Sequence, residues 1–390
     1  MVLGALFPLS GQAALIGDEG FRGLSLAVDA LNAASGLAGR RVALKRADAR
    51  DPAVAASAAK GLIAQQSVAA IFGTGVTAMS LTASAAAAVA GVPYFELTAT
   101  GVPITGRGLP DVFHSCPEAS KFATVSVAAL VEVVARLWGR APASLRFALL
   151  ASSNTLGQTV SQGQAAACKS RGLTPAQAFT YPAGTVDFTT VIQALKGGGI
   201  EVVLHTGSSN DIVLFYRGMA AARWRPGMVI GSGPSYALAD TRAAVGQGLD
   251  GTLIADFPPY AINRHAAPGV AAVANAYQQR YGAGPRSGLS LAAYVGAGFF
   301  FDALAKAGGT DLVKLRASVL ACNVAIGTTA NGWGANFDAT GQNLRAHPVL
   351  AQWQNGRAVT VAPAEFRTAL PEPRLCAPAP PIDPAPDPAP

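Results

Sequence analysis

The sequence predicts an α/β fold in two lobes, each a parallel sheet covered by helices. Strand-like apolar runs alternate with helical stretches almost without break, a rhythm that yields parallel sheets with right-handed crossovers. The alternation comes as two series, and 390 residues are enough for two lobes of ordinary size, each with its own core. The chain is 51% hydrophobic and only 13% charged, the balance of a globular chain and not of a disordered one.

The first series opens with an apolar strand over residues 2–7, a small-residue loop over 8–20, and a helix carrying Phe21, Leu24, Val28 and Leu31 at helical spacing. Residues 42–44, 68–72 and 92–97 read as buried strands, with helices at 52–65 and 79–89 between them. A second series follows, with strands at 146–151, 176–181, 201–205 and 228–230 and helices beginning near Gly157, Asp187 and Asn210. After residues 251–257 come three helical stretches, at 270–281, 290–307 and 311–321.

The formal charge of +7 is spread over scattered Lys and Arg, with no run longer than Arg40-Arg41. Nucleic-acid binders cluster such residues on one face with aromatics interleaved, so no nucleic-acid partner is expected. No stretch of about 18 uninterrupted apolar residues offers a membrane span. Cys116, Cys168, Cys322 and Cys376 lack CxxC spacing, and His114, His205, His265 and His347 form no HxxxH pair, so neither a metal nor a cofactor is expected. An oxidising compartment permits a Cys322–Cys376 disulfide, and buried free thiols fit equally.

Three loops of the first series follow strand ends: Ser10-Gly11, Gly73-Thr74-Gly75-Val76-Thr77, and Thr98-Ala99-Thr100-Gly101. Each precedes a helix, whose first N–H groups are unpaired and whose dipole end is positive. With the hydroxyls of Thr77 and Thr100 and the N–H of Ala99, they offer a seat for a carboxylate. The same residues also suit helix capping, and Ser-Gly suits a plain turn.

The run PLSG, then Gly17, GFRGLSLAVDALNAASGLAGRRVAL and DARDP resembles the N-terminal signature of the type I periplasmic solute-binding proteins, in their leucine/isoleucine/valine-binding branch. The resemblance continues through IFGTGVTAMS, GVPYFELTATGVPITGRGLPDVFHSCP, DFTTVIQALKGGGIEVVLHTGSSND, FDATGQN and WQNGR, and it covers the chain to about Val361. It implies two Rossmann-like lobes with parallel sheets joined by three hinge crossings, near 117–121, 255–260 and 331–338. The first lobe is then 1–118 with 257–332, and the second 119–256 with 333–368. It further implies a monomer in the periplasm, made with a signal peptide in the precursor, that captures a small molecule by hinge closure and delivers it to a membrane ABC permease. A ligand-sensing receptor domain of the same fold is the alternative.

In the first lobe the resemblance assigns ligand contacts to Ser10, Gly11, Thr74, Gly75, Thr77, Ala99 and Thr100. In the second it departs from the amino-acid binders. They hold the ligand's ammonium with a Tyr and a Glu, where this chain has Leu156 and, at or near the second position, Gly233. A closed cleft needs such partners for an ammonium, so the expected ligand has an acidic head, a neutral body, and is not an ordinary α-amino acid. A branched-chain amino acid is the alternative. Ser152, Ser153, Asn154, Ser208, Ser235 and Tyr236 are neutral groups on the facing loops, with Tyr236 able to stack on a flat ligand. Glu96, inside an apolar run, either is buried beside a partner or faces the cleft, and Asp256, Tyr260 and Trp333 are candidates for the hinge side.

No enzyme is expected. GSGPS lacks the order of a nucleophile elbow, GTGVTA lacks a P-loop Lys, and His205 is a lone candidate base. From Pro371 the chain becomes Pro- and Ala-rich, and residues 369–390 are expected to lie outside the fold as a disordered tail.

Overall fold

A computed structural model describes residues 1–375. Its first lobe is built on a five-stranded parallel sheet in the order β2-β1-β3-β4-β5: β1 Val2–Phe7, β2 Ala43–Asp48, β3 Ile71–Gly73, β4 Tyr94–Glu96 and β5 Val112–His114. Helices α1 (Ala14–Ala33), α2 (Pro52–Gln66), α3 (Thr77–Val89) and the short α4 (Pro103–Gly106) connect these strands. The second sheet has seven strands in the order β12-β11-β10-β9-β8-β6-β7. They are β6 Phe147–Ser152, β7 Gln177–Tyr181, β8 Val202–Thr206, β9 Met228–Ser232, β10 Leu253–Asp256, β11 Val349–Gln354 and β12 Arg357–Ala362.

The second lobe's helices are α5 (Ala119–Ala128), which runs on through a π-helical turn into α6 (Ala135–Leu137), then α7 (Thr155–Ser170), α8 (Thr189–Gly197), α9 (Ser209–Ala221) and α10 (Ala239–Val245). Three more, α11 (Val270–Tyr281), α12 (Gly288–Ala307) and α13 (Leu312–Leu320), pack back on the first lobe. Local chemistry sets several of these starts. Asp51 accepts from the Val54 N–H ahead of Pro52 in α2, and Ser208 with Asp211 makes a capping box on α9.

The first core lies between β1, β3, β4, β5 and helices α1 and α12, with Phe72, Phe95, Phe113, Phe300 and Phe301 at its centre. Phe95 and Phe300 stack at 4.4 Å between ring centroids. Helix α12 is long and apolar enough to cross a membrane, but 78% of its apolar window is buried inside the lobe. It is a core helix whose outward residues include Asp302 and Lys306.

Three expectations need correction. First, the second sheet is not wholly parallel, since β11 runs antiparallel to β10 and β12 antiparallel to β11. The two-residue turn Asn355-Gly356, at φ +50° and +76°, folds them into a hairpin. Second, the third crossing falls later than 331–338. Ala335 and Phe337 lie in the first core, and Asn343 donates its N–H to the His114 carbonyl, so the chain leaves that lobe only beyond Asn343.

Third, the tail does not leave the fold at Pro371. The Glu372 N–H donates to Gln352 Oε1 at 2.7 Å, Trp138 Nε1 donates to the Pro373 carbonyl at 2.6 Å, and the Leu375 N–H donates to the Gly227 carbonyl at 3.2 Å. Residues 376–390, Cys376 and any disulfide through it lie outside the described residues. Cys116, Cys168 and Cys322 are buried free thiols.

Candidate functional site

The carboxyl ends of β1, β3 and β4 bring the first-lobe loops together, where open α/β sheets place ligands. Ser10 and Gly11 are exposed at the tip. Ser10 Oγ and the Leu9 N–H both donate to Asp48 at the end of β2. Burial pushes the Asp48 carboxyl up, but these hydrogen bonds outweigh it and hold the group below its usual range. The Ser10 hydroxyl is therefore oriented, with its oxygen left to accept.

The second and third loops are organised by Glu96, which of its two expected placements takes the buried one beside partners, not the ligand contact. Its carboxylate is fully buried and accepts from the N–H groups of Thr74 (2.7 Å), Gly75 (3.1 Å), Leu97 (3.1 Å), Thr98 (3.1 Å) and Ala99 (2.9 Å). Tyr94 OH donates as well, at 3.1 Å, and Thr74 Oγ1 at 3.3 Å. Burial, followed by the nearby Glu96 charge, raises the Tyr94 phenol well above its ordinary range. The chain thus fills its own anion nest.

The Ala99 and Gly75 amides and Thr74 are accordingly spent on Glu96 and not open to a ligand. The Ala99 carbonyl is occupied too, by His114 Nε2 and Cys116 Sγ.

Thr77 and Thr100 behave differently. Thr77 is the first residue of α3, not its cap, and no side-chain cap bond forms at the start of α3 or of α4. Thr77 packs on Gly101, where an added Cβ would stand 2.1 Å from Thr77 Cγ2. The two threonines are 7% and 5% exposed.

In the second lobe, polar loop residues expected to meet a ligand serve as caps and ties. Asn154 Oδ1 accepts from the Gly157 N–H at 2.8 Å, and Ser208 Oγ from the Asp211 N–H at 3.3 Å. Ser153 Oγ accepts from the Ala183 N–H. Tyr236 is fully buried with its hydroxyl on His205 Nδ1, so it does not stack in the cleft, and its neighbour Ser235 is buried as well. His205 is no surface base: Tyr181 OH meets its other nitrogen at 2.8 Å, and burial lowers its pKa to about 3. Leu156 is half-buried and reaches over Gly233, with Cδ2 3.1 Å from where a Cβ would stand. At φ +95° Gly233 also disfavours any side chain.

The lobes meet along a closed seam. Ile16, Leu238, Phe257, Leu289 and Trp333 form one apolar cluster drawn from both. The Ala239 N–H donates to the Arg286 carbonyl at 2.8 Å, and the Arg286 guanidinium lies 2.6 Å from Asp18 and 3.6 Å from Asp240. Behind it Glu19 accepts from Tyr277 OH and Ser290 Oγ, and Tyr260 OH joins through Ser290. Tyr260 is thus tied to the first lobe at the hinge. Burial raises the Glu19 carboxyl, with these hydrogen bonds pulling it back.

Cavities of about 760, 610 and 460 Å³ lie elsewhere: between α1 and α11, between α2 and α3, and beside Trp138. Several polar atoms at strand ends have no partner, and of their residues Thr206 alone is not a candidate from the sequence. Thr98 Oγ1, Ser152 Oγ, Thr206 Oγ1 and Asp256 Oδ1 are buried without a hydrogen-bond partner. Their one signal in the sequence is a polar residue closing an apolar strand.

The family described as "Periplasmic binding protein" matches residues 1–357. Leu/Ile/Val-binding protein homolog 8 of Brucella abortus is 40% identical over 361 residues, 92% of this chain and 90% of that protein. Leu/Ile/Val-binding protein homolog 7 of Brucella suis is 38% identical, over 93% and 91%. Among solved structures, the branched-chain amino acid transporter substrate-binding protein LivJ of Streptococcus pneumoniae, in complex with isoleucine, superposes with a TM-score of 0.79 at 19% identity, over 93% of this chain and 99% of that one. A solute-binding protein of an ABC transporter from R. palustris, in complex with benzoate, gives 0.75 at 18%, over 96% and 99%. With the two-sheet architecture and the strand-end loops already described, these matches establish that the chain belongs to the type I periplasmic binding proteins, in the leucine/isoleucine/valine-binding protein family.

Proposed function

We propose that the chain is the extracytoplasmic solute-binding component of an ABC importer. In this reading it captures a small carboxylate-bearing molecule with a neutral body between its lobes and hands it to a membrane permease. The ligand stabilises closure through contacts made only when the second lobe swings over the first. Thr77 and Thr100, whose hydroxyls cap no helix, are the carboxylate donors, with Ser10 at the rim.

The observation that carries the reading is Leu156 lying over Gly233, where no acidic side chain has room. An ammonium left without a carboxylate at that place is costly to bury. The names of the relatives support a second reading, a branched-chain amino acid binder.

Isothermal titration against leucine, isoleucine, valine, benzoate and short fatty acids separates the two. Binding of a benzoate-type or fatty acid with no response to leucine is expected, and tight leucine binding alone overturns the carboxylate reading. Thr77→Val and Thr100→Val are each expected to weaken binding on the order of tenfold with unchanged melting temperature, because each removes a hydrogen bond to a charged group.

A further inference from the structure

Three side-chain atoms at the carboxyl edge of the second sheet, Ser152 Oγ, Thr206 Oγ1 and Asp256 Oδ1, have no hydrogen-bond partner. Ala151 pairs with Thr206, His205 with Gly231 and Ser232 with Ala255, so one step further Ser152, Gly207, Gly233 and Asp256 form a single row across β6, β8, β9 and β10. Side chains alternate along a strand, and Leu150 and Ile254, two residues back, share one core cluster, so Ser152 and Asp256 point to the same face. Ser152 is 0% and Asp256 1% exposed, and neither Ser152 Oγ nor Asp256 Oδ1 has a hydrogen-bond partner. Next along the chain, the Phe257 and Pro258 carbonyls run against Gly288 at the start of α12 in the first lobe. Asp256 therefore stands beside the crossing into the first lobe, at the inner end of the seam.

We propose that Asp256 is the second lobe's polar contact to the ligand, and that the ligand is a small hydroxy-carboxylic acid. This rests on the carboxylate-binder reading above. A buried polar atom without a partner destabilises a fold by about 1–3 kcal/mol, and such a cost is retained where function uses the group. Burial raises the Asp256 carboxyl to about 8, with the Phe257 backbone pulling it back down, so near neutrality it is an uncharged acid. It then has an O–H to donate and an oxygen to accept, the complement of a ligand hydroxyl. An ammonium would instead require the ionised form. Gly233 and Leu156 leave the neighbouring step of the row apolar, which suits the rest of the ligand.

The test is titration calorimetry at pH 7 with three acids of one skeleton: 2-hydroxy-4-methylpentanoate, 4-methylpentanoate and leucine, alongside 4-hydroxybenzoate and benzoate. A hydroxylated acid is expected to bind roughly tenfold tighter than its parent, as for one matched polar contact. Asp256→Leu is expected to abolish that preference, with a melting temperature equal to or above the wild type's. Asp256→Asn serves as the shape-conserving check if the Leu variant fails to fold. Equal affinity for hydroxylated and parent acids, or a preference that survives in both variants, overturns the role of Asp256 while leaving the carboxylate reading standing. Leucine as the tightest ligand, lost in Asp256→Asn, makes the residue an ammonium counter-ion and overturns the hydroxy-acid assignment. No binding of any of the five acids by the wild type overturns the carboxylate reading itself.

Discussion

At the scale of single residues, buried ionisable groups work in opposite directions. Glu96 is matched by amides on every side, so its replacement leaves donors facing donors. Glu96→Gln, which sets an NH2 among those N–H groups, is expected to lower the unfolding free energy by about 2–4 kcal/mol in urea denaturation. His205 is held between Tyr181 and Tyr236 with its pKa lowered to about 3 by burial. Between pH 6.5 and 3 the unfolded chain therefore binds a proton there that the folded chain refuses. Stability contributed by the neutral imidazole is present above 6.5 and lost as pH falls, on the order of 1 kcal/mol per pH unit. Because Asp256 carries the opposite slope over the same range, the contribution is read as a difference: in denaturant titrations at pH 7, 6, 5 and 4 the stability lost on His205→Gln is expected to shrink by that slope as pH falls. Asp256, raised to about 8, has the contrary sign: its contribution is fully present below pH 4 and is lost as pH rises toward 8.

Among the elements, the segment after β12 matters more than its composition suggests. Residues 370–375 follow the β9, β10 and β11 side of the second lobe, held through Gln352, Gln354, Trp138 and Gly227. Arg374 lies over the Trp138 ring at 5.6 Å. Truncation after Ala369 is expected to lower unfolding free energy by roughly 1–3 kcal/mol, since it removes several backbone hydrogen bonds and one cation–π contact, and to shift Trp138 fluorescence to the red. Proline content alone predicted a detached tail because proline lacks an N–H donor, yet the Pro373 carbonyl is an acceptor and is used as one. The same contrast between local signal and long-range pairing explains what the sequence disclosed. Helices at 52–65 and 270–281 were legible because their helix-forming composition and boundary residues are local. The β5 strand is three residues long and depends on pairing with β4, so no pattern marks it. The Asn-Gly turn did signal the β11–β12 hairpin, but the regular alternation upstream favoured an all-parallel reading. In the site, Thr77 and Asn154 have the same capping chemistry, and only the geometry of their helix starts separates the uncapped hydroxyl from the cap.

For the whole molecule, the balance between open and closed lobes sets apparent affinity, because a ligand that binds the closed form is penalised by the fraction of protein left open. Two kinds of contact hold the seam, and their magnitudes differ. The Arg286–Asp240 pair is 3.6 Å apart and partly solvated, so it contributes well under about 1 kcal/mol. Leu238, fully buried, meets Leu289 and Ile16 of the other lobe, and its truncation removes about 2–4 kcal/mol of apolar contact. Part of that loss falls on the second lobe itself, and the remainder falls on closure. Asp240→Asn is therefore expected to change ligand affinity by less than about threefold, and Leu238→Ala by about tenfold or more through faster release. Small-angle scattering of Leu238→Ala without ligand is expected to show a larger radius of gyration than the wild type, with the difference removed at saturating ligand. Equal affinities for the two variants would place closure outside this apolar seam and on the ligand contacts alone.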